Sequence, residues 1–468
     1  MIRSAKWRGT STRRTGVAAS AVAFALALAA CGGVGADDEP ESGSDSTTGP
    51  QSFTVSGFGA DDEIGQIRLA LAEKNLGAKA KLNKGAFDEQ QFLAAVAAGN
   101  PPDVVNMGRD QVASYAARGA LIPVDDCIAK EHIDVSQYRE QAMSPVTYEG
   151  KTYGIPEFYN YPLLLVNNRV AKEAGVDPKS IDTGDWESLI DAAQKMTKME
   201  GGKLVRLGFD PSLPDSSVLW SAIHEIQLMG DDGLSARIDD PAVVDVMTNL
   251  KRLADAQGGW TKVKSFKDSW DFFGAENPFV TDQVGAMIVE QWYLTVLAET
   301  APTKVDFTVV PIKNARGEPV TTAGGAAWVI PKDSKHPDLA CKFAKEMTSV
   351  PAWIAAAEGK VKAFAKEGKY YAGTYTGNLK ADEQIFADAS GEGIWKPAGG
   401  EMSVFDDAVR NALEQQSHAV IQPASPIGAQ FADAMVKAVN RILQGEQDPA
   451  ASLQRAQSDV DKAAQAVR

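Results

Sequence analysis

The sequence predicts an α/β fold over residues 52–468, large enough for two lobes. Predicted strands alternate with predicted helices along this stretch, which is typical of α/β units built around a mostly parallel sheet. The helical stretches carry apolar residues at helical spacing, as at Ile64, Ile67 and Leu71. A hydrophobic content of 44% in a chain of 468 residues is sufficient for two separate cores.

The elements up to residue 156 follow from apolar spacing and from turn residues. Asp88 predicts a helix start, Pro101-Pro102 ends that helix, and Glu149-Gly150 predicts a hairpin turn. The predicted elements are a strand-rich run at 52–59, a helix at 61–76, a helix from Asp88 to Gly99, a buried strand at 103–107, a helix stopped at Gly119 with a short strand after it, and a hairpin at 147–156.

The later elements follow from the same signals. Thr183 or Asp185 is the candidate N-cap of the helix at 183–198, and the strand within 282–299 ends just before Trp292. The remaining elements are a strand and helix at 161–176, a helix after the strand in 282–299, a strand, turn and helix at 326–349, and helices from about 426 with a break at Gly445 and Pro449.

Residues 1–30 resemble a bacterial lipoprotein signal. Basic residues precede an apolar stretch at 17–28, which is shorter than the roughly 20 apolar residues that span a bilayer. Leu28-Ala29-Ala30-Cys31 matches the lipobox, which implies cleavage before Cys31 and a diacylglyceryl group on its sulfur. The alternative is an ordinary signal that happens to end at Cys31. The Sec and twin-arginine export routes both stay open.

Composition limits the partners of the exported chain. Residues 31–51 are rich in Gly, Ser, Asp and Glu, and predict a flexible tether between lipid and fold. The first 30 residues hold five of the 47 basic residues and none of the 62 acidic ones, so the remainder carries a formal charge of −20. Nucleic acid is therefore not an expected partner, and a lipid anchor is the only expected membrane contact.

Cysteine and histidine usage predicts no metal site. Besides Cys31 the chain has only Cys127 and Cys341, which either form a disulfide or remain buried thiols. The four histidines are far apart in the sequence and lack metal-ligand spacing. No cofactor is expected.

Segments spread over residues 98–463 resemble the sugar-binding group of the extracellular solute-binding proteins of ABC importers. Six segments occur in the order of that family: "AAGNPPDVVNMGRDQVASYAARGALIPVDD", "YEGKTYGIPEFYNYPLLLVNNRVAKEAGVD", "DWESLIDAAQKMTK", "GAMIVEQWY", "TTAGGAAWVIPKDSKHPDLACKFAKEMTS" and "LQGEQDPAASLQRAQSDVDKA". The resemblance implies a two-lobed periplasmic-binding-protein fold, the type II Venus flytrap with hinge strands. It also implies the ABC permease subunits as partners and a location on the extracytoplasmic face of the membrane. We expect a monomer.

The order of the segments suggests lobe boundaries. The first lobe is expected to comprise 52–160 plus 305–350, and the second 161–304 plus 351–468. The ligand would favour the closed state of this hinged pair by contacting both lobes.

Ligands of open α/β sheets lie beyond the carboxyl ends of the strands, so the candidate site residues are those that follow predicted strands. Gly59 and Asp61 follow the first strand; the alternative there is a plain turn with a helix-capping Asp. Asp110 falls where the family often has a ligand-binding Asp, with helix capping as the alternative.

The first crossover and the strand before Trp292 supply further candidates. Glu157, Tyr159 and Asn160 combine polar and aromatic groups, although some relatives have Glu where Asn160 stands, and hinge packing is the alternative. Glu290 and Trp292 follow the strand, and Trp292 matches a stacking aromatic of sugar binders.

Three more candidates rest on weaker signals. Trp220 lies on a predicted helix, where a core position is the alternative. The amides of Gly324 and Gly325 can meet a ligand, with a β-bulge as the alternative.

A binding function without catalysis is the leading hypothesis. The candidate loops offer carboxylates, amides and flat aromatic rings, which suit the hydroxyl edges and C–H faces of a sugar or short oligosaccharide. The same fold binding a polyamine, a peptide, a metal complex or another small polar solute is the first alternative. A secreted hydrolase is the second, although no G-x-S-x-G or H-E-x-x-H motif occurs.

Overall fold

The computed structural model describes residues 51–83, 85–214, 216–386, 393–394 and 403–467. The signal, Cys31 and the tether up to residue 50 lie outside this set. From Ser52 onward the chain groups into one compact unit. None of the helices within these ranges is long and apolar enough to cross a membrane.

The strands fall into two five-stranded sheets and one hairpin. They are β1 (Gln51–Ser56), β2 (Ala78–Asn83), β3 (Val104–Gly108), β4 (Thr147–Tyr148), β5 (Lys151–Thr152), β6 (Gly154–Pro156), β7 (Pro162–Asn167), β8 (Lys198–Glu200), β9 (Lys203–Asp210), β10 (Val284–Glu290), β11 (Phe307–Val310) and β12 (Ala326–Val329).

The α-helices of the described ranges cover the faces of both sheets. They are α1 (Glu63–Leu76), α2 (Glu89–Ala97), α3 (Arg109–Ala117), α4 (Asp125–Lys130), α5 (Glu140–Met143), α6 (Asn168–Ala174), α7 (Trp186–Met196), α8 (Ser217–Ile223), α9 (Pro241–Ala256), α10 (Trp260–Lys267), α11 (Tyr293–Thr300), α12 (Pro337–Thr348), α13 (Val350–Lys366), α14 (Leu379–Phe386), α15 (Ser403–Gln416), α16 (Gly428–Leu443) and α17 (Pro449–Val467).

Local capping signals determine where several of these helices begin and end. Asp88 accepts a hydrogen bond from the amide of Gln91 (2.9 Å) and caps α2. Asp185, rather than Thr183, caps α7 by accepting from the amides of Glu187 and Ser188. The C-terminal cap of α6 is Gly175, whose φ of 67° is left-handed and favours glycine.

The first lobe is built on the sheet β2-β1-β3-β12-β6. β1 and β3 run parallel, and β12 is antiparallel to both β3 and β6. Val55, Val104 and Trp328 are fully buried on these strands, so apolar helices must cover both faces of the sheet.

The second lobe is built on the sheet β11-β7-β10-β9-β8. β7 is antiparallel to β10 and β11, and β10 is parallel to β9. The consecutive residues Leu163 to Val166 are fully buried, because helices pack on both faces of this central strand.

The expected lobe boundary at residue 305 is wrong. β11 pairs with β7 from Phe307 to Val310, so this stretch belongs to the second sheet, and the chain returns to the first sheet only at β12. The boundary at 350 also does not separate the lobes cleanly. α13 packs against α1 of the first lobe, yet its Trp353 joins the core cluster that contains Leu163.

Two chain segments that join the lobes run side by side. The first crossover lies between β6 and β7, and the second lies between β11 and β12. They pair where the amide of Asn160 donates to the carbonyl oxygen of Gly324 (3.1 Å) and the amide of Gly324 donates to that of Asn160 (2.7 Å). The lobes are therefore connected by a hydrogen-bonded pair of strands.

A disulfide links two helices of the first lobe. Cys127 on α4 is bonded to Cys341 on α12, with their Cα atoms 5.9 Å apart. Of the two possibilities that the sequence left open, the structure has the bridge.

Candidate functional site

The predicted site segments converge at one edge of each sheet. β1 and β3 end together because they are parallel, and Gly108 at the end of β3 pairs with Ala326 at the start of β12. In the second sheet, Glu290 at the end of β10 pairs with Pro162 at the start of β7. Because the crossovers leave and enter at these edges, both edges lie next to the joint between the lobes.

Arg109 fastens the crossovers to the first lobe. Its guanidinium donates to the carbonyl oxygen of Phe158 on the first crossover and to that of Gly324 on the second. The side chain is buried, and this burial lowers the pKa of Arg109 to about 10, so it stays charged at neutral pH. The structure turns the Arg109 side chain inward, onto these two carbonyl oxygens.

Asp110 is the second residue of α3, and its carboxylate lies beside Gly108 at the end of β3. The residue is exposed, yet burial raises the pKa of its carboxyl above the ordinary value, with the positive charge of Arg109 acting in the other direction. Gly428 at the start of α16 lies directly against the carbonyl oxygen of Asp110, where a Cβ atom would collide with it.

Trp292 lies at the facing edge of the second lobe and is held in place by Glu290. Its Nε1 donates to the Glu290 carboxylate, and the indole remains half-buried. Burial raises the pKa of Glu290, and the hydrogen bond from Trp292 partly offsets that rise.

Two aromatic residues that sequence reasoning missed complete this surface. Phe273 lies nearly parallel to Trp292, with an interplanar angle of 13° and ring centroids 6.0 Å apart. Phe272 contacts both rings from behind. A pair of aromatic residues within the turn-rich stretch 268–278 is the sequence signal that points to them.

Asp61 and Gly59 stay at the crevice edge of the first lobe. Asp61 is exposed and its carboxylate folds over Gly59, where a Cβ would collide with it. The helix cap is Asp62, which accepts from the amide of Gly65 at 2.7 Å. The capping alternative therefore applies to Asp62 and leaves Asp61 available.

The glycine pair and Asn160 lie where the crossovers meet. Asn160 is half-buried, and Gly324 is exposed but its amide is already bonded to Asn160. Gly325 has a φ of +125°, and a Cβ there would collide with the carbonyl oxygen of Phe158. Close approach of the crossovers explains Gly325 alone, because a Cβ at Gly324 would meet nothing nearer than 4.0 Å. The amide of Gly324 is bonded to Asn160 and so does not serve a ligand in this conformation.

Three predicted site residues lie in the protein interior instead, where they have no surface for a ligand. Glu157 is 1% exposed because it forms an ion pair with Arg68 (2.7 Å) and accepts a hydrogen bond from Asn106 (2.6 Å). Tyr159 is fully buried in the hinge. Trp220 is fully buried, and its Nε1 donates to the carbonyl oxygen of Pro211 (3.2 Å).

The described part of the chain contains no group of three or more His, Cys, Asp and Glu side chains that could hold a metal ion. Of the predicted site residues other than glycine, five are exposed or half-buried in the structure: Asp61, Asp110, Asn160, Glu290 and Trp292.

The chain resembles known binding proteins in sequence and in fold. Residues 67–379 match the family described as bacterial extracellular solute-binding proteins. The arabinooligosaccharide-binding protein of Bacillus subtilis (strain 168) is 25% identical over 282 residues, which cover 57% of this chain and 61% of that protein. The maltodextrin-binding protein MdxE of the same strain is 24% identical over 381 residues, which cover 79% of this chain and 83% of that protein.

Among solved structures, CpMnBP1 with mannobiose bound has a TM-score of 0.71 at 24% identity, covering 88% of this chain and 100% of that one. This likeness confirms the predicted two-lobed α/β fold. Because the family match spans residues 67–379, more than half of the sequence, the chain belongs to the bacterial extracellular solute-binding proteins.

Proposed function

We propose that this protein captures a sugar or short oligosaccharide between its lobes and delivers it to the transmembrane subunits of an ABC importer. The observation that supports the proposal is the half-buried indole of Trp292, whose Nε1 donates to Glu290, together with the exposed carboxylate of Asp110 in the first turn of α3. An aromatic face and separate carboxylates are the groups that a sugar requires from its site.

Each group has a distinct part in binding. The indole covers the C–H face of one sugar ring, and its N–H is already satisfied by Glu290, so the ring is orientated before the ligand arrives. Asp110 and Asp61 accept hydroxyl protons from the first lobe, and the side-chain amide of Asn160 provides both a donor and an acceptor at the hinge.

Ligand binding is thereby coupled to closure of the two lobes. A ligand that contacts Trp292 alone favours neither the open nor the closed conformation, whereas one that also contacts Asp110 stabilises the closed one. The paired crossovers are the hinge for this motion. No bond in the ligand is made or broken, so the proposed role requires no catalytic residue.

The names of the relatives support the class of ligand. The relatives compared above are named for arabinooligosaccharide or maltodextrin binding, and the solved structure contains mannobiose. The ligand of this chain would belong to the same class of neutral polyols.

The location follows from the family and from the signal. We infer that lipid on Cys31 anchors the protein to the outer face of the cell membrane and that residues 31–51 act as its tether. The folded part would work there as a monomer.

Thermal melting of the chain from residue 32 onward, which lacks the signal and Cys31, tests the proposal. A ligand that binds only the folded state raises the melting temperature by mass action. We expect at least one saccharide, from a panel that also includes amino acids, peptides and polyamines, to raise it.

The variant Trp292→Ala should lose this shift while its unliganded melting temperature stays close to that of the wild type. Trp186→Ala, which removes another half-buried indole of the second lobe, is the matched control and should keep the shift. A shift caused only by an amino acid, peptide or polyamine would replace the sugar with that solute.

A further inference from the structure

Gln291 lies between the candidate residues Glu290 and Trp292, yet its own side chain is buried. It is 2% exposed, and two main-chain groups of the first crossover fix its orientation. Its Oε1 accepts a hydrogen bond from the amide of Tyr161 (2.8 Å), and its Nε2 donates to the carbonyl oxygen of Tyr159 (3.0 Å). Because one end of a glutamine amide only accepts and the other only donates, this pairing allows a single orientation of the side chain.

These bonds extend the second sheet onto the first crossover. Glu290 pairs with Pro162 at the edge of that sheet, and the amide of Gln291 donates to the carbonyl oxygen of Tyr161 (3.1 Å). The side chain of Gln291 then supplies the next two bonds, which a further residue of a strand would supply from its main chain. Buried main-chain groups require such partners, so the Gln291 side chain is firmly held.

The same side chain reaches Asn160. Nε2 of Gln291 also donates to Oδ1 of Asn160, at 3.4 Å. Since the main chain fixes which atom of Gln291 is the donor, the atom of Asn160 that faces it is the acceptor oxygen. Nδ2 of Asn160 therefore points elsewhere. It has no hydrogen-bond partner within the described ranges of the chain, and the residue is half-buried.

We propose that Gln291 is a positioning residue for ligand binding, which turns Nδ2 of Asn160 toward the ligand. This inference rests on the proposed function and adds what the ligand must offer beside the first crossover. Nδ2 is a hydrogen-bond donor, so the ligand group that meets it is an acceptor oxygen, such as a hydroxyl or ring oxygen of a sugar. The ammonium group of a polyamine offers no acceptor to this donor.

A double-mutant cycle on the chain from residue 32 onward tests the inference. Dissociation constants for mannobiose, maltotriose and arabinotriose are measured by calorimetric titration. We expect Gln291→Leu to weaken the tightest of these ligands about tenfold, which corresponds to one hydrogen bond. In the Asn160→Ala background the same substitution should weaken it less than about threefold, because the group that Gln291 orients is already absent.

Gln291→Glu is a second variant, which keeps the shape of the side chain if the leucine variant fails to fold. Its carboxylate still accepts from the amide of Tyr161 but cannot donate to Oδ1 of Asn160. The carboxylate instead attracts Nδ2 of Asn160 and reverses that amide. We therefore expect Gln291→Glu to weaken saccharide binding about tenfold as well.

Gln257→Leu is the matched control. Gln257 is also buried, and its side-chain amide accepts from the amide of Phe209 (2.8 Å) and donates to the carbonyl oxygen of the same residue (2.9 Å). Phe209 lies on β9, outside the crossovers. The control should lower the melting temperature and leave the dissociation constant within about twofold of the wild type.

The outcomes separate this inference from the proposed function. Failure of the wild type to bind any saccharide refutes the function and the role of Gln291 with it. Saccharide binding that both Gln291 variants leave within about twofold of the wild type refutes the role of Gln291 alone. Equal losses of affinity from Gln291→Leu with and without Asn160→Ala also overturn it, since Gln291 would then act on the ligand independently of Asn160.

Discussion

Arg109 and Asp110 are adjacent in the chain, but the first side chain is buried and the second is exposed. Arg109 is buried at 2% exposure and bonds two backbone carbonyls, whereas Asp110 stays exposed at the crevice. Among the described residues no carboxylate lies within ion-pair distance of Arg109. The Asp110 carboxylate is therefore not held in an ion pair by its neighbour.

The raised pKa values of Asp110 and Glu290 predict a pH dependence of binding. Burial raises both above the ordinary carboxyl value of about 4. The ionised carboxylate accepts hydrogen bonds from ligand hydroxyls through both of its oxygens, whereas the protonated form has lost part of that capacity. A bound ligand therefore lowers these two pKa values. The affinity is highest when the pH is above the pKa of the ligand-free protein. We expect the dissociation constant to rise as the pH is lowered from neutral through the range in which these carboxyls become protonated, as measured by calorimetric titration.

The variant Asp110→Asn should bind more weakly at pH 7 and show a smaller dependence on pH. Asp245→Asn, on the exposed side of α9, is the control and should titrate like the wild type. Affinity of Asp110→Asn equal to that of the wild type at every pH would exclude the Asp110 carboxylate from ligand contact.

At the scale of elements, the bond between α4 and α12 stabilises the first lobe without touching the crevice. Cys341 lies near the beginning of α12, and His336, just before that helix, donates its amide to Asp103 at the start of β3. The start of β3 is the sheet edge opposite the crossovers. The disulfide should therefore affect folding and spare binding.

Removal of the bridge in the double variant Cys127→Ala/Cys341→Ala should lower the free energy of unfolding by about 2–4 kcal/mol, because the unfolded chain gains entropy. Urea unfolding measures the loss. Saccharide affinity should stay within about twofold of the wild type at a temperature where the variant is folded. A large loss of affinity would show that the bridge also determines the crevice geometry.

The sequence was informative about elements that carry their own boundary signals. The buried run in β3, the caps Asp88 and Asp185, and the left-handed Gly175 were all readable locally, and the structure confirms those elements. β11 was misplaced because its lobe is decided by its pairing with β7, and the stretch itself carries no local sign of this partner.

The site residues likewise divide into features that local sequence signals predict and features that depend on distant contacts. Chain position after a strand predicts Asp110, Glu290 and Trp292 as site residues, and in the structure these three side chains are exposed or half-buried. It could not give side-chain direction: Glu157 turned inward to Arg68, and the helical face of Trp220 turned into the core. Phe273 was missed because a turn 19 residues before Trp292 brings it alongside, which no strand rule anticipates.

At the scale of the whole molecule, the crossovers and Arg109 form the joint between the lobes. The guanidinium bonds a carbonyl on each crossover, and the backbones of Asn160 and Gly324 bond each other. Hydrogen bonds to a buried charge are each worth about 1.5–3 kcal/mol.

Substitution Arg109→Lys tests this joint. The ammonium of lysine lacks the planar fork that reaches both carbonyls. We expect the free energy of unfolding to fall by about 1.5–3 kcal/mol, as measured in urea. The control Arg118→Lys, at the other end of α3 with a partly exposed side chain, should cost under about 1 kcal/mol. An equal loss of unfolding free energy in the two variants would show that Arg109 does not stabilise the joint between the lobes.

The mutual pairing of Asn160 and Gly324 has a consequence for how the protein cycles. Two separate linkers would let the halves tumble independently, whereas a laddered ribbon flexes easily in one direction and resists shear and torsion. Each reopening therefore returns the two lobes to the same relative orientation, so the next ligand molecule binds to a site that is already aligned.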